Sequence, residues 1–167
     1  MIHFRFSPPH EISLYDIIVL VNDYEALAEL RYRVRRFLHF SEEASRLSGL
    51  EPQHHQLLLA AKGFGGRPDE GPTIGYLADR LQIRHNSAVE LIDRMVSHGL
   101  VERLSGERDR RQVIVVLTRY GDRILKKLST DHIRELRETG PELVCALESI
   151  LGTPAAEAEM DREKAAR

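Results

Sequence analysis

The chain has 167 residues with 24 Lys plus Arg against 26 Asp plus Glu, a net charge of −2, and one cysteine, Cys145. A single cysteine excludes an internal disulfide and any paired-cysteine metal site, and the near-neutral balance argues against a general polyanion binder. No apolar run approaches the roughly 20 residues that span a bilayer, and the N-terminus lacks the pattern of a secretion leader, so one compact cytoplasmic subunit is expected.

The apolar residues Leu27, Leu30, Val34, Phe37 and Leu38 continue toward Ala44 and Leu47 at helical spacing. They predict a long first helix with more apolar face than a lone small lobe can cover. Pro52 marks the first turn of a second major helix, with His54 and His55 near its start, and the stretch 63–72 reads as a Gly- and Pro-rich loop. A short helix over 74–81 offers Leu77, Ala78 and Leu81 to a core, and Gln82, Ile83 and Arg84 make a tight turn.

The next helix, 85–98, is the most informative. Ala88, Leu91, Ile92, Met95 and Val96 recur as one apolar stripe, so one side is expected to be buried. The other side carries Asn86, Ser87, Glu90, Asp93, Arg94 and Ser97, hydrogen-bonding groups without a large apolar side chain. Gly99 ends the helix, and two strand-like runs follow, 100–104 and the β-branched 112–117. Their connection, 106–111, projects Arg108, Arg110 and Arg111, with Asp109 placed to orient its neighbours.

Thr118 is set to cap a further helix whose stripe is Ile124, Leu125, Leu128, Ile133 and Leu136. Gly140 is expected to stop it, and Pro141 to start a shorter helix bearing Leu143, Val144, Leu147 and Leu151. The tail after Gly152, rich in Ala and charge, reads as frayed.

Helix, tight turn, helix and hairpin in that order describe a mainly α, winged helix-turn-helix chain with a small α/β wing. The division expected is an N-terminal helical dimerisation region at 1–50, a winged lobe at 51–117, C-terminal dimerisation helices at 118–151 and a tail at 152–167. Charge follows the same map. From 80 to 127 there are 11 basic and 6 acidic residues, a net of +5, which leaves −7 for the rest.

The expected partner is double-stranded DNA. Asn86, Ser87 and Glu90, with Val89 against a thymine methyl, would read base edges, while Arg84, Arg94 and Ser97 fix register on phosphates. Arg108, Asp109, Arg110 and Arg111 would form the minor-groove anchor. A winged helix can also serve as a protein interaction module without DNA binding, and Glu90 leaves that alternative open. The sequence holds no dinucleotide-binding glycine run, phosphate loop or His-Glu-x-x-His, so no enzyme activity is expected. No cofactor and no metal site are expected either, because the eight histidines are scattered.

The run from Ile83 to Val101, with Asp109-Arg110-Arg111 and Leu117-Thr118-Arg119-Tyr120-Gly121, resembles the MarR family of bacterial transcriptional regulators. The shared marks are Ser87, the Asp93-Arg94 pair, Gly99-Leu100-Val101 entering the wing, the arginine tip and the Leu-Thr-x-x-Gly opening of the next helix. The likeness extends over about 23–151, and departs at Glu107 and Glu90. It implies a homodimer built from the terminal helices, gripping a near-palindromic operator, most often as a repressor. It also implies a small aromatic or anionic effector, for which Tyr32, Arg36, His39, His54 and His55 are the candidate residues. For His54 and His55 a capping or packing role is the alternative, and Cys145 is read as inert packing rather than a redox sensor.

Overall fold

The computed structural model describes residues 14–66, 70–106 and 111–152, with side chains described from residue 23 onward. The elements run α1 (Leu14–Leu47), α2 (Pro52–Lys62), α3 (Ile74–Leu81), α4 (His85–Ser97), β1 (Val101–Ser105), β2 (Val113–Leu117) and α5 (Arg119–Leu151). No described helix is long and apolar enough to cross a membrane.

Local chemistry explains where the elements stop. Thr73 caps α3 by accepting the Tyr76 N–H at 3.2 Å. Gln82 then takes a left-handed conformation, φ 53°, so that the Ile83 N–H reaches back to the Ala78 carbonyl at 3.0 Å and the chain turns into α4 within three residues, 82–84. Helix α4 closes on Gly99 at φ 66°. The Gly99 N–H bonds the Val96 carbonyl and the Leu100 N–H bonds the Met95 carbonyl, both at 2.9 Å, a pair of bonds that needs a left-handed residue between them.

Strands β1 and β2 pair antiparallel in the register Val101↔Leu117, Arg103↔Val115 and Ser105↔Val113. The hairpin does not stand alone. The Val115 N–H donates to the Pro72 carbonyl at 2.9 Å, and Thr73 bridges Ile114, so the loop before α3 is stitched to the wing. At the far side of β2, Thr118 caps α5 by accepting the Gly121 N–H at 3.0 Å, while its own hydroxyl donates to the Gly99 carbonyl at 2.6 Å. Here a side chain at residue 121 has no room, since a Cβ would lie 2.1 Å from the Leu100 carbonyl oxygen. The glycine in the Leu-Thr-x-x-Gly run is thus required by the closeness of α5 to the start of the wing.

The described residues form two compact units, one within 38–136 and one of 14–37 with 137–152. In the first, Leu57 and Leu58 of α2, Leu77 of α3, Leu91, Ile92 and Met95 of α4, Val101 and Val115 of the hairpin, and Leu125 and Leu128 of α5 share one buried core. Full burial of such a side chain is worth about 1.5–3 kcal/mol. This unit therefore takes in the C-terminal part of α1 and the N-terminal part of α5 in addition to the segment 51–117, because Ala44 of α1 packs against that core and Leu125 and Leu128 of α5 belong to it. In the second unit Arg33 of α1 is bonded to Glu142 of α5, with Arg36 3.9 Å from the same carboxylate.

One expected break is absent. Helix α5 is continuous through Gly140 and Pro141 to Leu151. Proline removes one N–H, but Arg137, whose carbonyl loses its partner, and Pro141 are both exposed, so water can replace that bond. Leu136, Gly140, Val144, Leu147 and Leu151 also keep helical phase across the site, so the two halves present one common face.

Candidate nucleic-acid interface

Helix α4 has the two-faced character that its sequence predicts, with one exception. Ala88, Leu91, Ile92 and Met95 are buried, whereas Val96 is 39% exposed. Val96 lies at the edge of the stripe, about 80° around from Ala88, beyond the arc that α2, α3 and β1 cover. On the opposite side Asn86, Ser87, Glu90, Asp93, Arg94 and Ser97 are exposed, and Val89 is half-buried beside them. Arg84 precedes the helix as its N-cap, its side chain exposed and making no cap bond, so among the described residues the first-turn N–H groups carry no side-chain acceptor. A helix start of that kind favours an anion.

Not every polar group on this face is equally available. The Ser97 hydroxyl donates to the Arg94 carbonyl at 2.7 Å, so its proton is already committed. Asp93 accepts from Arg103 of β1, and the same guanidinium lies 3.4 Å from the Val89 carbonyl. Arg103 thereby ties the outer strand of the hairpin to the middle of α4. Arg103 is not among the residues that the sequence singles out, and the one available signal is an acid and a base ten positions apart on adjoining elements.

At the hairpin, Gly106 and Gln112 are joined by a backbone bond of 2.9 Å, and Arg111 is exposed beside it. Arg108, Asp109 and Arg110 lie outside the described residues.

The candidate effector residues divide. Tyr32 and Arg36 are exposed in one compact unit, while His39 is exposed and His54 and His55 are buried in the other. His54 takes the capping role: its Nδ1 accepts the Glu51 N–H at 3.4 Å at the third position of α2. Its Nε2, 3.8 Å from the Glu51 carboxylate, is buried without a hydrogen-bond partner among the described residues, and the ring meets His98 edge-on at 5.8 Å between centroids. Burial lowers the His54 pKa, the Glu51 carboxylate opposes that, and His98 and Arg94 add to it.

His55 packs against His132 with ring centroids 4.5 Å apart. Burial, and secondarily the His132 ring, push the His55 pKa down to about 4. His132 faces the Leu128 carbonyl with Nδ1 at 2.7 Å and the Ser41 hydroxyl with Nε2 at 2.9 Å. A carbonyl only accepts, so Nδ1 carries the proton and Nε2 accepts from Ser41. These histidines pack against one another between helices instead of forming an open ligand wall. Among the described residues no group of three or more His, Cys, Asp or Glu side chains is arranged to hold a metal.

Comparison with known proteins bears on the same segment. A family model described as MarR family matches residues 48–112, which include α2, α3, α4 and β1. That match covers 65 of the 167 residues, less than half of the chain. The uncharacterized HTH-type transcriptional regulator YsmB of Bacillus subtilis is 36% identical over 66 residues, 40% of this chain and 45% of that protein. The match spans less than half of that curated relative's length. Among solved structures, AbsC of Streptomyces coelicolor, a MarR family transcriptional regulator, is 20% identical with a TM-score of 0.57 over 93% of each chain. CouR of Rhodococcus jostii, solved with p-coumaroyl-CoA bound, is 20% identical with a TM-score of 0.51 over 81% of this chain and 85% of that one. At such identities the two structures speak for the MarR family fold, a mainly helical chain with a two-stranded antiparallel wing.

Proposed function

We propose that this chain is a transcriptional regulator, without enzyme activity, that binds a specific near-palindromic DNA operator as a homodimer and represses from it. The observation that carries the reading is the exposed polar side of α4, set in a tight helix-turn-helix and fastened to the wing through Asp93 and Arg103. Asn86, Ser87 and Glu90, with Val89, are the base-reading side chains of this reading. Arg84, Arg94 and the uncapped start of α4 hold phosphates, with Ser97 reduced to a secondary contact by its internal bond. Arg111, with Arg108, Asp109 and Arg110, supplies the minor-groove anchor.

The homodimer rests on apolar surface that a single chain leaves uncovered. Leu27 and Val34 of α1 and Val144, Leu147 and Leu151 of α5 are exposed. Twofold pairing would set two recognition helices about 34 Å apart, one turn of duplex. A small aromatic or anionic effector is the remaining part of the proposal. CouR with its bound CoA ester and the exposed Tyr32, Arg36 and His39 support it, with His54 and His55 acting through packing.

Selection of bound fragments from a random duplex pool tests the reading. Enrichment of a near-palindrome whose half-sites are about 10 base pairs apart is expected. Retention of fragments without any shared sequence would overturn it.

A further inference from the structure

The N-terminal part of α5 has a surface that the recognition helix and wing do not account for. Between residues 119 and 134, Arg119, Arg123, Lys126, Lys127, Thr130 and Arg134 are all exposed. At 3.6 residues per turn they fall within a sector of about 100°, along roughly 22 Å of helix. Asp122 and Asp131, the acidic residues of this stretch, lie outside that sector. The buried side of the same stretch, Gly121, Leu125, Leu128 and His132, is almost diametrically opposite, so the cations face directly away from the core of their unit.

Part of α1 shows charges paired along a solvated helix, although Arg31 and Arg35, four residues apart, form no ion pair among the described residues. There Arg33 pairs with Glu29, and Arg46 with Glu42 and Glu43, at helical spacings of three and four residues. On α5 the same spacings join like charges, Arg119 with Arg123 and Arg123 with Lys126 and Lys127, beside the opposite ones Arg119 with Asp122, Asp122 with Lys126 and Lys127 with Asp131. None of these four cations forms an ion pair among the described residues, and only Arg134 has one, with Asp131 at 2.8 Å. Like charges at these spacings destabilise a helix, and cations in its first turns oppose its dipole. The like-charge neighbours cost local stability, and none of Arg119, Arg123, Lys126 and Lys127 closes an ion pair that offsets it among the described residues.

We propose that this face is a second, sequence-independent binding surface for the phosphate backbone of duplex DNA, distinct from α4 and the wing. A strip of about 22 Å matches the rise of roughly six phosphates on one strand. The choice of DNA as the polyanion rests on the function proposed above, while the presence of an unneutralised cationic face does not.

The test uses the full chain carrying Arg119→Gln, Arg123→Gln, Lys126→Gln and Lys127→Gln together. Binding to a selected operator and to a random duplex is followed by fluorescence anisotropy from about 50 to 200 mM salt. The log–log salt slope is expected to flatten by about 2 to 4, at roughly 0.9 for each phosphate no longer neutralised, with both duplexes weakened alike and their ratio unchanged. The melting temperature is expected to hold or rise as repulsion is relieved, and the sedimentation coefficient to stay that of the wild type. A slope equal to the wild type's overturns the proposal while leaving operator recognition intact. A lower melting temperature or loss of the oligomer overturns it too, by giving these cations a structural or subunit-bridging role. Unchanged DNA binding with reduced affinity for polyglutamate would assign the face to an acidic protein instead. A wild type that binds no duplex at all defeats this proposal and the operator reading together.

Discussion

On α4 the apolar residues Ala88, Leu91, Ile92 and Met95 are all covered by the chain's own core, and what faces water is a row of amide, hydroxyl and charged groups. At the α1 and α5 ends the arrangement is reversed: Leu27, Val34, Val144 and Leu147 face water, while Arg33 is engaged with Glu29 and Glu142. Apart from Val96 and the half-buried Val89, α4 has its apolar side chains covered and offers a polar surface for a polar partner. The helix ends leave Leu27, Val34, Val144 and Leu147 uncovered, surface that another apolar surface would cover. The two partners proposed above, duplex DNA and a second copy of the chain, are matched to these two regions.

The sharpest way to break the comparison is to make the helix ends polar. Val144→Asp with Leu147→Asp should convert the protein to monomers in sedimentation, with operator affinity reduced by about 100-fold or more, because linked half-site binding is abolished. The lobe should unfold at an unchanged denaturant midpoint. A variant that stays dimeric would remove the apolar helix ends from the account.

Acid should act on the lobe and spare the helix ends. His54 and His55 both have pKa values below the ordinary 6.5, His55 near 4. Below pH 6.5 the unfolded chain therefore binds protons that the folded lobe refuses, and stability falls as pH drops from 6.5 toward 4. For His55 the total is on the order of 2–3 kcal/mol. Urea unfolding at pH 7 and at pH 4.5 should show this decrease, and His55→Gln should flatten it. An equally steep pH dependence in that variant would assign the effect elsewhere.

The smallest effect belongs to the tie between helix and wing. Arg103→Ala removes a half-exposed ion pair and should cost no more than about 1 kcal/mol in unfolding experiments. DNA affinity should nonetheless fall by about tenfold, since α4 and the hairpin lose their fixed relation, and Arg103→Lys should recover part of it. A variant as tight as the wild type would show that the wing orients without this ion pair.

Much of this was legible in the sequence. The α3 and α4 boundaries, the Thr73 to Thr118 order of elements, and the polar side of α4 follow from periodicity and from residues that stop helices by local geometry, Gly99 above all. Three features were not. Val96 counted as apolar and periodic, but its exposure depends on how wide an arc the neighbouring elements cover. Gly140 and Pro141 carry strong stop signals, yet the surrounding helix outlasts them because the missing bond falls where water can supply it. The pairs Asp93–Arg103 and His55–His132 join residues from different elements, 10 and 77 positions apart, so no local pattern announces them. The cationic α5 face lay in plain view as a charge excess over 80–127. Its meaning depends on knowing that the buried side of the helix is directly opposite and that its first four cations form no ion pair among the described residues.

The central claim is that exposed side chains on α4 discriminate base sequence. The most direct measurement is the ratio of affinities for the selected operator and a scrambled duplex of equal length, at one salt concentration, for the wild type and for Asn86→Ala with Ser87→Ala. The account predicts a ratio well above one that collapses by about tenfold or more in the variant, at roughly 1–3 kcal/mol for each base-reading side chain removed, with binding to the scrambled duplex nearly unchanged. Equal weakening on both duplexes, leaving the ratio where it was, would contradict it.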